Sequence, residues 1–145
     1  MTIAVDFDGT IVEHRYPAIG KELPFAVSTL RQLQREQPDL HIILWTVREG
    51  ELLRQAVEWC AERGLTFYAV NSNYPEELPV TAASDSADGV PGCRKVTADV
   101  YIDDRNLGRL PSWPEIYRRL AGQAPEESKT SGAKPSFFGR LFGKR

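Results

Sequence analysis

The 145-residue sequence predicts an α/β fold built on a mainly parallel sheet, and three observations carry that prediction. Short apolar runs alternate along the chain with stretches at helical spacing, the order expected of successive β–α–β units. Polar residues follow those runs repeatedly: Asp6 and Asp8 after the first, Thr46 and Arg48 after the second, Asn71 after the third, Asp103 and Asp104 after the fourth. Open parallel sheets bind ligands beyond the carboxyl ends of their strands, so this placement suits a site at the sheet mouth. The composition, 41% hydrophobic and 26% charged, is that of a globular chain long enough to build a core without disulfide or metal staples.

Each element has its own signature. Thr2 to Val5 is a short β-favouring run that ends in acids. Residues 13–24 contain Pro17 and Gly20 and read as a loop or small hairpin. A helix is predicted over 24–37: Pro24 suits a first turn, Phe25, Leu30 and Leu33 give helical spacing, and Pro38 stops it. Residues 40–45 are almost continuously apolar, as in a strand covered on both faces. The helix predicted over 50–63 carries Leu53, Ala56, Val57 and Cys60 on one face and ends at Gly64. Residues 66–70 form the third strand. Residues 71–94 are rich in Pro, Ser, Asp and Gly without a period, a length of loop that is usually functional or mobile. Val100 to Ile102 is the fourth strand, and 112–120 is a closing helix with Ser112 and Glu115 at capping-box spacing.

Charge divides the chain. The formal total is −2, which gives no general pull toward nucleic acid. From Gly122 onward there are five basic residues (Lys129, Lys134, Arg140, Lys144, Arg145) and two acidic ones (Glu126, Glu127). That leaves 13 basic against 18 acidic residues in the body. The predicted organisation is therefore a folded domain over 1–121 and a linker with a basic, aromatic tail over 122–145. Two cysteines, Cys60 and Cys93, match no disulfide framework or zinc pattern. The opening MTIAVDFDGT places acids where a signal peptide needs an apolar stretch, so a cytoplasmic location is expected.

Asp6, Asp8, Asp103 and Asp104 would bring four carboxylates to one mouth, an unfavourable crowd unless a cation lies among them or one stays protonated. Oxygen ligands suit a hard ion, and Mg²⁺ commonly binds beside a phosphate. Thr46 offers a hydroxyl and Lys95 an ammonium to phosphate oxygens. Lys95 is also the one lysine between Lys21 and Lys129. Arg48 is a further candidate for phosphate or substrate, although an arginine opening a helix is as often solvated. His14 reads as a surface histidine and His41 as structural. Acids opposite anion binders point to phosphoryl chemistry.

These residues carry a family resemblance. DFDGT at 6–10, after an apolar strand, resembles the first motif of the haloacid-dehalogenase-like (HAD) hydrolase superfamily. LWTVR at 44–48 resembles its second motif, Lys95 can serve as the third-motif lysine, and YIDDR at 101–105 resembles the fourth. The resemblance spans about residues 1–120. It implies a three-layer Rossmann-like fold and a phosphatase using an aspartyl-phosphate. Asp6 would be the nucleophile and Asp8 the general acid and base. It also implies Mg²⁺ held by the Asp6 carboxylate, the Asp8 carbonyl and Asp103, with Asp104 binding directly or through water, and Thr46 and Lys95 on the phosphoryl oxygens. Neither inter-motif stretch leaves room for a cap domain, so the whole resembles small cap-less bacterial members with an open site. The resemblance names no substrate beyond a phosphorylated one.

Two other readings stay open. A binding module could keep the metal and phosphate site and act through its tail. Phe137, Phe138, Leu141 and Phe142 lie there among basic residues, a mix suited to an anionic membrane or a partner groove. A phosphatase of nucleic-acid ends is the other, though the sequence supplies no basic stripe.

Overall fold

Four short apolar runs lie side by side in the computed structural model of the chain, which describes residues 1–75 and 95–122. They are β1 (Thr2–Val5), β2 (His41–Leu44), β3 (Ala69–Val70) and β4 (Val100–Ile102), and the helices are α1 (Ala26–Glu36), α2 (Gly50–Glu62) and α3 (Trp113–Ala121). The sheet order is β3-β2-β1-β4, and every pairing is parallel. The chain runs outward from β1 through β2 to β3, then returns to the far side of β1 as β4. The carboxyl ends of β1 and β4 therefore flank the point where strand order reverses, the favoured ligand crevice of such sheets.

The register explains the core. Ile3 pairs with Ile42 and Val100, and Val5 with Leu44 and Ile102, so these side chains share one face of the sheet. Ile3, Val5, Ile42, Leu44 and Ile102 join a buried cluster with Leu30 and Leu33 of α1, Ala56 and Cys60 of α2, and Ile116 and Leu120 of α3. All three helices feed that one cluster. On the opposite face Ala4, Ile43 and Ala69 are buried as well. The expected α/β, Rossmann-like, mainly parallel architecture is what the chain forms. The expected third layer and the matter of a cap turn on residues outside the described ones, as do Cys93, most of the 71–94 loop and the tail beyond Gly122.

Local departures have physical reasons. α1 begins at Ala26 because Phe25 takes a left-handed conformation (φ 68°), and Glu22 accepts the Val27 N–H that a capping side chain would otherwise take. The 13–24 stretch closes as a small hairpin-like loop: Glu13 N–H donates to Lys21, and Leu23 N–H to Ile11. β3 is only two residues long; ahead of it the Tyr68 ring stacks on His41 at 3.8 Å. At α3 the predicted capping box does not form. Ser112 makes no side-chain cap bond, and Glu115 turns instead to Arg118 and Arg119 on its own helix.

Candidate metal and phosphoryl site

Asp6 leaves β1 with its N–H donating to Ile102 of β4 at 2.9 Å, so the first acid of the chain stands beside the end of the returning strand. There it meets Asp103 and Asp104. One carboxylate oxygen from each of the three lies within 4.8 Å of the others, the one such acidic group among the described residues. Two loops a hundred residues apart in sequence build this cluster, and the parallel β1–β4 register brings them together.

Thr10 ties the loops to each other. Its hydroxyl donates to Asp6 Oδ2 at 3.3 Å and accepts the Asp104 N–H at 3.0 Å. Its own carbonyl accepts the Trp113 indole N–H at 3.0 Å, which anchors the first loop to α3. Gly9 is required beside it: its φ is +93°, and a Cβ there would lie 2.2 Å from Asp104 Oδ2. Asp103 Oδ1 accepts the Arg105 N–H at 2.7 Å, and the Asp103 carbonyl accepts from Asn106 at 2.9 Å, so the acid-bearing turn is fixed in place. Beside Asp103 a cleft of about 250 Å³ runs between β4 and α3, floored by Ile102, Leu110 and Leu120 and edged by Asn106 and Arg109.

The electrostatics fit a cation. Burial pushes the Asp6 carboxyl up to about 7, and the charges of Asp103 and Asp104 add to the rise. The Phe7 backbone and the Thr10 hydroxyl oppose it through hydrogen bonds. Asp104 Oδ1 is buried with no hydrogen-bond partner. A buried carboxylate oxygen without a donor is costly, and a divalent ion would satisfy it. Three carboxylates at this spacing are a hard-cation donor set.

Asp8 is not part of this cluster. Its carboxylate is buried and both oxygens accept from Arg48, Oδ2 from Nε at 2.6 Å and Oδ1 from Nη2 at 2.7 Å. Arg48 is completely buried, against its reading as a phosphate ligand or a solvated arginine. Beyond Asp8 it donates to the carbonyls of Pro17 (3.0 Å) and Ala18 (2.9 Å), and it lies over the rings of Phe7 and Tyr16. An arginine so enclosed cannot reach a phosphate. The expectation for Arg48 is corrected: it is the buried partner of Asp8. The four expected carboxylates are correspondingly three at the crevice and one in an ion pair.

Thr46 stands where the second motif predicted, after β2. Its N–H donates to Asn71 Oδ1 at 2.8 Å and its hydroxyl accepts the Arg48 N–H at 3.2 Å, which leaves the hydroxyl proton for another acceptor. Lys95 is exposed, with its ammonium 4.5 Å from the centre of the Tyr101 ring and no ion pair to an acid among the described residues. The adjoining Thr97 N–H donates to Asn73, which holds that stretch beside the carboxyl end of β3. His14 is exposed and His41 lies on β2 against Tyr68, both as expected.

Two residues outside the sequence-derived site set matter. Thr10 was legible within DFDGT as part of the motif, but not as the link between two acidic loops. Asn71, in left-handed conformation (φ 51°), clamps the Thr46 loop from the end of β3; its position after a strand was the one signal available. In the comparisons with known proteins, the solved structure of a conserved protein coded by a locus from Bacteroides thetaiotaomicron shares 57% identity with this chain. It covers 83% of this chain and 89% of its own length, with a TM-score of 0.70. No family model matches, and no curated protein matches.

Proposed function

We propose that this chain, which belongs to one family with the conserved Bacteroides thetaiotaomicron protein, is a Mg²⁺-dependent phosphatase that works through a phosphorylated Asp6. The observation that carries the reading is the Asp6, Asp103 and Asp104 cluster at the strand-order switch, with a buried Asp104 oxygen lacking a donor. The side-chain oxygens of all three acids would hold the ion, together with the Asp8 main-chain carbonyl. When bound, the ion would supply charge neutralisation between two anions, the nucleophile and the phosphoryl group.

The chain's own residues do the rest. The Asp6 main chain is held by its N–H bond to Ile102 and its carboxylate by the Thr10 hydroxyl, with one oxygen within 4.8 Å of oxygens of Asp103 and Asp104. Positive charge beside it favours the ionised, nucleophilic form over the proton-bearing form that burial alone promotes. Thr46 would donate its hydroxyl proton to a phosphoryl oxygen and Lys95 would supply a flexible cation, both offsetting negative charge on the equatorial oxygens.

The test is turnover of p-nitrophenyl phosphate by the full chain with and without Mg²⁺, beside Asp6→Asn. Loss of turnover on chelation, and a drop of at least roughly 1,000-fold in Asp6→Asn, are expected. Metal-independent turnover that survives Asp6→Asn would refute the reading. Mg²⁺ binding with no turnover of any phosphate compound would leave the binding-module alternative in its place.

A further inference from the structure

The cleft beside Asp103 has no part in the chemistry assigned so far. One wall is β4, the last strand of the sheet among the described residues, so no further strand of theirs covers it. Its apolar lining comes from β4, from the end of the following loop and from α3, with Ile102, Leu110, Pro111, Ile116 and Leu120 contributing. Asp103, Asn106 and Arg109 all belong to the loop that leaves β4. The polar rim therefore lies at the carboxyl end of the sheet, where the three acids meet. Arg119 also lines the cleft, but it donates to Glu115 at 2.9 Å. The Asn106 amide is engaged as well, donating to the Asp103 carbonyl at 2.9 Å. Arg109 is different: it is exposed, with neither an acid partner nor a hydrogen bond among the described residues. An apolar hollow with a charged group at its lip has the build of a small-ligand site, in which the lining takes the body of the ligand and the polar group orients it.

We propose that this cleft is the subsite for the organic part of the substrate, and that Arg109 selects a carboxylate on it. The substrate class is a phosphate ester of a compact apolar acid: a single ring or short branched chain that also carries a carboxylate. This rests on the phosphatase reading above and narrows its substrate. Asp103 belongs both to the acidic cluster and to the cleft, so one small molecule can place its phosphoryl group at the acids and its apolar body in the hollow. A volume of about 250 Å³ suits one ring or a short branched chain. The planar guanidinium fork matches a carboxylate through two parallel hydrogen bonds. A carboxylate also brings one negative charge to a rim that already holds Asp103, where a second phosphate group would bring nearly two. The acid on the α3 side, Glu115, is already paired with Arg118 and Arg119. Arg109 is thus a specificity-determining residue that touches the substrate away from the reacting phosphorus.

The experiment measures competitive inhibition of p-nitrophenyl phosphate turnover by phosphonates, on the full chain with Mg²⁺. Phosphonates are not hydrolysed, so the constants report binding free of leaving-group effects. Phenylphosphonate offers the ring without the acid, phosphonoacetate the acid without the ring, and the carboxyphenylphosphonates offer both. At least one carboxyphenylphosphonate should bind at least roughly tenfold more tightly than either single-featured compound. Arg109→Gln should bring it to within about twofold of phenylphosphonate, and Arg109→Lys, which keeps the charge, should restore part of the preference. Equal inhibition by the carboxyphenyl compounds and phenylphosphonate, or a preference that survives Arg109→Gln, would overturn the inference and leave the phosphatase reading standing. Phosphonoacetate binding as tightly as the carboxyphenyl compounds would overturn it too, because the cleft would then contribute nothing. A loss in Arg109→Gln shared equally by all the phosphonates would move Arg109 onto the phosphoryl group and also count against it. Turnover of no phosphate compound at all would overturn both readings.

Discussion

Among the described residues, Asp6 carries a pH signature close to neutrality. Its carboxyl is raised from an ordinary 3.8 to about 7, by burial first and by Asp103 and Asp104 after the Phe7 hydrogen bond has opposed it. A carboxyl raised on folding favours the folded state at low pH, where it is protonated in both states. That advantage is lost progressively as pH rises from about 4 through about 7, because ionisation inside the fold is harder than outside it. Asp6→Asn removes the group that must ionise. Without metal, the variant should therefore match wild type near pH 4 and exceed its stability near pH 8 by on the order of 2–4 kcal/mol, read by urea unfolding. Saturating Mg²⁺ should shrink or reverse that difference, since the ion stabilises the wild-type carboxylate cluster alone. An equal wild-type to variant difference at both pH values would contradict this picture of the site.

Residue by residue, legibility followed locality. Asp6, Asp103 and Asp104 were readable because each sits at the end of an apolar run, and the end of a parallel strand can point only to the sheet mouth. Arg48 was not readable in the same way. Its burial depends on Asp8, forty positions away, and on carbonyls of Pro17 and Ala18, and no local pattern marks an arginine for enclosure. The Asp8–Arg48 pairing was illegible for the same reason, since a carboxylate's partner is set by what faces it in the fold.

At the level of elements, α3 has a structural task that its amphipathic pattern does not reveal. Trp113, at its first residue, is buried and donates to the Thr10 carbonyl, while Gln32 of α1 and Gln37 just beyond it bond to Tyr117 and Leu120. α3 therefore braces the nucleophile loop and α1 together. Trp113→Phe keeps a ring in the core and removes the indole donor, leaving a buried carbonyl unpaired. A loss of about 1–3 kcal/mol in urea unfolding is expected, with weaker Mg²⁺ binding because Thr10 spans the two acidic loops. Unchanged Mg²⁺ affinity in a clearly destabilised variant would show that the brace serves the fold and not the site. Element existence was legible throughout from periodicity. Boundaries were less so: β3 contracted to Ala69–Val70, and the capping box at Ser112 gave way to Glu115 pairing along its own helix with Arg118 and Arg119.

Across the whole molecule, the body's excess of acids has a location. Three carboxylates gather where strand order reverses, and a fourth balances a buried arginine, so part of the negative charge belongs to a site and part to the framework. No helix among the described residues is long and apolar enough to cross a membrane. The basic tail lies outside the described residues.

Trapping a phosphoryl group on Asp6 tests the proposed phosphatase activity most directly. The full chain, mixed briefly with acetyl phosphate and Mg²⁺, quenched in acid and digested, should yield a phosphate adduct on the peptide containing Asp6. The adduct should vanish on chelation of the metal and in Asp6→Asn. Turnover of acetyl phosphate with no adduct at Asp6, or an adduct on another residue that persists in Asp6→Asn, would contradict the account.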